Sequence, residues 1–189
     1  MDRKWLGIAV LSASVVSGSP LAHAQEVVHA VTGTVTAVDP AKNTIDIKTN
    51  DDSLGEFHYQ KQLKSPIEFD KSVREGTTEP DSFNKIGDHV VAYYFQGPSG
   101  RVIVALKDFG ATPLQVATGT LVKSPKHHEF SVKTTTGAVE TFQIAKDASA
   151  ETPEGVSGGL KFEADSGTPI TVRYTEDGGA KVAQFIRTD

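Results

Sequence analysis

Ala30-Val31-Thr32-Gly33-Thr34-Val35 recurs later in the chain as Val116-Ala117-Thr118-Gly119-Thr120-Leu121. The similarity continues outward from this pair of stretches. A Pro-containing turn follows each, Asp39-Pro40-Ala41-Lys42-Asn43 in the first copy and Ser124-Pro125-Lys126-His127-His128 in the second. Thr44-Ile45-Asp46-Ile47-Lys48 then answers to Glu129-Phe130-Ser131-Val132-Lys133, and Phe57-His58-Tyr59 to Thr141-Phe142-Gln143-Ile144. Near the end of each unit Gly87-Asp88-His89-Val90-Val91-Ala92-Tyr93-Tyr94 parallels Gly167-Thr168-Pro169-Ile170-Thr171-Val172-Arg173-Tyr174, and last strands are expected around Val102 to Leu106 and Val182 to Ile186. Self-similarity of this kind marks two copies of one folding unit. The boundary falls at Gly110-Ala111-Thr112-Pro113, too short for a flexible linker.

The period inside these segments is two. Val31, Gly33, Val35 and Ala37 alternate with Thr32, Thr34 and Thr36, and Ile45 and Ile47 with Thr44, Asp46 and Lys48. Such alternation predicts strands with one buried and one wet face. Each unit reads as three strands, an irregular segment and two more strands, the order of a five-stranded Greek-key barrel of OB type. The fold class is therefore all-β: two tandem OB-like barrels, residues 25–110 and 111–189, after a leader at 1–24. The irregular segments at 63–86 and 146–167 are rich in Gly, Pro, Ser, Thr and acids, so loops with at most a turn of helix are expected there.

One strand departs from the alternation. In the first copy's fourth strand Val90, Ala92 and Tyr94 occupy one face and Val91, Tyr93 and Phe95 the other, so both are apolar, whereas the second copy places Thr171, Arg173 and Thr175 on the matching outer face. A surplus apolar face needs a cover. The second barrel, a second molecule or an envelope protein partner would each supply one, an aromatic platform for a ligand is the sharper alternative, and Val91, Tyr93 and Phe95 are the candidate contact residues.

Residues 1–24 read as an export signal. Met1-Asp2-Arg3-Lys4 is a short basic start, Trp5 to Val16 is mostly apolar and small, and Ala22-His23-Ala24 has the form of a signal-peptidase site. The mature chain would begin at Gln25 and reside in the periplasm or outside the cell. Cleavage would remove the single Met and the single Trp, and the chain has no Cys. Disulfides, thiol nucleophiles and thiolate metal sites are thereby excluded. The net charge of −5 carries no basic stripe, which argues against nucleic acid, and no apolar run reaches the length of a membrane-spanning helix.

The run from Thr32 to Lys48, followed by Ile86 to Gln96 and the final strand from Arg101 to Leu106, resembles the small periplasmic barrels of CusF-like copper chaperones. It is equally similar to a group of uncharacterised bacterial exported domains that share the GTV and GDxVxV patterns. The resemblance implies a barrel fold; for the CusF-like proteins it also implies Cu(I) held by a His after the second strand, two Met in the third and a nearby Trp. Here those places hold Ile47-Lys48-Thr49 and Gly55-Glu56-Phe57, and in the second copy Lys133-Thr134 and Val139 to Phe142. Soft thioether ligands are missing, so this kind of Cu(I) site is excluded by composition.

Five histidines remain after the leader: His29, His58, His89, His127 and His128. His127-His128-Glu129 is the one local cluster, and imidazole with carboxylate suits Zn²⁺ or Cu²⁺. His89, in register with Val91 and Tyr93, could join it. Against this stands an ordinary solvated turn. Asn50-Asp51-Asp52 lacks the spacing and terminal Glu of a Ca²⁺ loop, Gly155-Val156-Ser157-Gly158-Gly159 has the wrong order for a nucleophile elbow, and no phosphate loop, HExxH or dinucleotide fingerprint occurs. The sequence therefore points to a non-enzymatic binding or scaffold module of the cell envelope, with no resident cofactor, engaging a partner or its own second barrel. The alternative is a periplasmic divalent-metal protein using His127, His128 and His89.

Overall fold

The computed structural model describes residues 26–49, 54–60, 67, 70–126 and 128–188. The expected leader lies outside them. Among the described residues no helix is long and apolar enough to cross a membrane.

The first unit contains β1 (His29–Asp39), β2 (Thr44–Thr49), β3 (Leu54–His58), α1 (Lys71–Arg74), β4 (His89–Gly97) and β5 (Gly100–Asp108). Its strands close into a barrel in the order β1-β2-β3-β5-β4, with β4 returning to β1. Among the described residues of this unit, only the β3–β5 contact is parallel. The second unit contains β6 (Gln115–Lys126), β7 (Glu129–Thr134), β8 (Val139–Thr152), β9 (Gly155–Gly158), β10 (Pro169–Asp177) and β11 (Ala180–Thr188). It closes the same way, through β6-β7-β8-β11-β10, and its parallel contact, β8–β11, falls at the equivalent place. The chain is thus two closed five-stranded OB-like barrels in tandem.

The repeat extends to single hydrogen bonds. In the first barrel Val35 N–H donates to the Asp88 carbonyl and Gly87 N–H to the Val35 carbonyl; in the second, Leu121 N–H donates to Thr168 and Gly167 N–H to Leu121. Bulges also recur, between Val35 and Ala37 and between Leu121 and Lys123, where the first strand must bend to close the sheet. The glycine of each repeated triplet has a steric reason. A Cβ on Gly33 would sit 2.5 Å from the Lys48 carbonyl oxygen, and one on Gly119 would meet the Lys133 carbonyl oxygen. First and second strands cross too closely there for any side chain.

Two aromatic plugs close the barrels. A 3₁₀ turn at Pro80–Ser82 delivers Phe83 into the first core, and one at Gly159–Lys161 delivers Phe162 into the second. Each Phe N–H donates to the carbonyl of the turn's first residue. Around Phe83 lie Ile45, Ile47, Phe57, Ile103 and Leu106; around Phe162 lie Leu121, Phe130, Phe142, Val172 and Ile186. The expectation for 63–86 was a loop with at most a turn of helix, and its described part holds α1 and one 3₁₀ turn. The expectation for 146–167 needs correction: β8 runs on through Thr152 and turns back as β9. The reason is two-sided burial, since Ala148 and Ala150 enter the second core while Ser149 is also buried, on the opposite face.

Candidate functional site

The feature that distinguishes this chain from two separate barrels is the seam between them. Along β4 the alternation sends Val90 and Ala92 into the first barrel's core and Val91, Tyr93 and Phe95 outward. Outward does not mean exposed: Val91 and Tyr93 are 0% accessible and Phe95 6%. Their cover is Phe185 of β11, Val156 of β9, Val73 of α1 and the Val28–Ala30 entry into β1. The apolar face expected to meet a partner or the second barrel meets the second barrel. Val91 and Tyr93 leave nothing at the surface for a separate protein.

Polar groups fix the register of this seam. Asp147, Ser149 and Glu151 alternate along β8, so they share one face, and each reaches across. Lys107, 5% exposed, donates to the Asp147 carbonyl (2.7 Å) and pairs with its carboxylate (2.8 Å). The Tyr93 hydroxyl lies 3.0 Å from Ser149 Oγ, and burial pushes the phenol up to about 12 against the lowering effect of that hydrogen bond. Glu151 accepts from the Ala30 amide (2.8 Å) and contacts His29 Nδ1 (2.7 Å). Its carboxyl is nevertheless raised, because burial outweighs both contacts.

A second tie sits at α1. Asp70 caps the helix through the Ser72 amide and hydroxyl, and the same carboxylate accepts from the Gly158 amide (3.2 Å) and pairs with Lys161 (2.8 Å). Burial opposes its charge, but Lys161, Ser72 and Gly158 together outweigh that and hold it well below the usual carboxylate range. Backbone meets backbone as well, with Val156 N–H donating to the Val28 carbonyl. This contact needs Gly155, where a Cβ would lie 2.6 Å from Val27 Cγ1 and 2.8 Å from the Val28 carbonyl oxygen.

One part of the seam is not filled. A cavity of about 50 Å³ opens between the barrels, lined by Thr32, His89, Phe109, Pro113, Leu114 and Arg173 among others. His89 Nδ1 is 3.0 Å from Thr34 Oγ1, a contact between neighbouring strands of the first barrel, since Thr34 pairs directly with His89. Arg173 pairs across β10–β11 with Phe185, which places it at the border of the seam's apolar contact.

The metal candidates are not gathered here. His89 is half-buried at this cavity, whereas His128 is exposed in the β6–β7 turn, nearly the whole length of β6 away; His127 lies outside the described residues. Among the described residues no three His, Asp or Glu side chains come together as a metal-ligand group. His58 faces Glu56 at 3.5 Å on the first barrel's surface.

Sequence reading anticipated the apolar half of the seam and missed its polar half. Asp70, Asp147, Glu151 and Lys161 lie in segments without strand periodicity as read, and Lys107 lay beyond the last strand as read. The available signal was the acid-small-hydroxyl-small-acid alternation from Asp147 to Glu151, whose period of two matches a strand face. Scanned against protein-family models the chain matches none, and it matches no curated protein.

Proposed function

We propose that the protein is an exported, non-enzymatic binding and scaffold module of the bacterial cell envelope, in which the second barrel engages the first through Val91, Tyr93 and Phe95. The observation that carries this reading is the state of Tyr93: a fully buried ring with its hydroxyl on Ser149 of the other barrel. A phenol so placed needs a matched partner, so it fixes position as well as adding apolar contact. Two barrels joined in this way keep outer strand faces available for recognition, as barrels of this order commonly do. The basic start, apolar stretch and Ala22-His23-Ala24 support export.

Two measurements test this. In the producing bacterium the protein is expected in the envelope fraction with Gln25 as its first residue; an intact mass that retains residues 1–24 in the cytosol overturns export. Tyr93→Phe keeps the ring and orphans the Ser149 hydroxyl, so urea unfolding is expected to show a loss of about 1 kcal/mol. An unchanged midpoint would remove Tyr93 from the role of positioning contact.

A further inference from the structure

We propose that the seam cavity is a binding site for the carboxylate of a small apolar acid, held by the guanidinium of Arg173 with the His89 ring beside it. The inference goes beyond the scaffold reading and does not depend on export or on any protein partner.

Every other buried or half-buried charge named at the seam has a partner: Lys107 has Asp147, Asp70 has the exposed Lys161, and Glu151 has His29. Arg173 is half-buried too, yet among the described residues it has neither an ion pair nor a side-chain hydrogen bond. Burial alone pulls its basicity below the ordinary arginine value, with no carboxylate opposing the effect. Removing a guanidinium from water without compensation is costly, and its planar fork of donors matches a carboxylate in two parallel hydrogen bonds. Asp108, adjacent in sequence to the cavity-lining Phe109, is already committed: its carboxylate pairs with Lys85 at 2.6 Å and accepts from the Gly110 amide at 2.8 Å.

The remaining walls define the ligand class. Phe109, Pro113 and Leu114 are apolar and come from the junction between the barrels. One fixed cation with an apolar wall suits a monoanion with a short hydrocarbon stem better than a doubly charged oxyanion. The volume of about 50 Å³ sets the scale: it exceeds the ~10–15 Å³ that one water requires and falls far short of a drug-sized pocket. His89 adds a second donor when the Thr34 hydroxyl donates to Nδ1, because the ring proton then sits on Nε2.

The test is a titration of ¹⁵N-labelled folded protein with butyrate, acetate and sulfate, followed by NMR. Butyrate is expected to give saturable shifts at the His89, Phe109 and Leu114 amides and at Arg173 Nε, with acetate weaker and sulfate weakest. Arg173→Gln is expected to weaken butyrate binding about tenfold or more, with the spectrum away from the cavity unchanged. Arg173→Lys, which keeps the charge and loses the fork, should fall between. Should Arg173→Gln fail to fold, movement of the wild-type Arg173 Nε resonance on adding butyrate decides the matter. Sulfate binding tighter than butyrate, absence of saturable shifts with all three probes, or equal shifts in Arg173→Gln would each overturn the assignment.

Discussion

Glu151 is 9% exposed, and its two acceptor contacts do not fully replace the water it gives up. Burial raises its carboxyl above the ordinary value of 4.5, more than His29 and the Ala30 amide lower it. An acid with a raised value in the fold binds its proton more readily folded than unfolded. Its contribution to stability is therefore fully present below 4.5 and is lost as pH rises through the raised value. Asp70 works in the opposite direction. Its folded value is depressed, so its contribution is present above its ordinary 3.8 and is lost as pH falls below that. Stability measured by urea unfolding between about pH 3 and about pH 6 is expected to combine an acid limb from Asp70 with a downward component from Glu151 above its ordinary value. Glu151→Gln keeps an oxygen for the Ala30 amide and removes the charge, so it should abolish the downward component and spare the acid limb. An identical profile in Glu151→Gln would show that the buried charge does not tax the fold.

At the scale of the element, β8 explains what sequence could and could not disclose. The first two strands of each barrel were readable because burying one face imposes a period of two, and the triplets around Gly33 and Gly119 were readable because two strands pass too closely there for a Cβ. The second half of β8 carries neither mark. Ala148, Ser149 and Ala150 include none of the β-branched or aromatic residues enriched in strands, and they are extended because both faces are enclosed: alanines toward the barrel core, Ser149 toward the seam. Tertiary packing decides the conformation and leaves only the faint alternation of Asp147, Ser149 and Glu151. The β8–β9 hairpin is therefore most sensitive where it touches the other barrel. Gly155→Ala, at a φ of +112°, is expected to lose about 1–3 kcal/mol on top of the backbone strain, since the new methyl meets Val27 and the Val28 carbonyl. Gly137→Ala is the matched comparison, with φ likewise positive at +89° and nothing within 4 Å of the added methyl. It bears the backbone strain alone, about 1–2 kcal/mol. Equal urea midpoints for the two variants would mean that the hairpin does not press on the first barrel.

For the whole molecule, the sequence announced that the face of Val91, Tyr93 and Phe95 required a cover, and left open which surface supplied it. The answer depends on Phe185 and Val156 and on the polar ties of Asp70, Lys107, Asp147, Glu151 and Lys161, residues scattered along the chain that the closed topology brings to the seam. Those ties have a thermodynamic consequence. A unit of this size buries a modest share of its surface by itself, so each barrel draws stability from its neighbour, and separating them would expose Tyr93, Phe95 and Phe185 together. Calorimetry of the intact protein is expected to show one transition, with calorimetric and van't Hoff enthalpies in agreement. The double variant Tyr93→Ser, Phe95→Ser removes two buried rings from the seam and leaves both barrel cores intact, because neither residue belongs to them. It should uncouple the units: the first barrel, which loses the cover of its β4 face, melts earlier, and the second follows in a separate step. Two transitions in the wild-type protein, or one undiminished transition in the double variant, would show that the barrels stand independently and that the seam does not contribute to their stability.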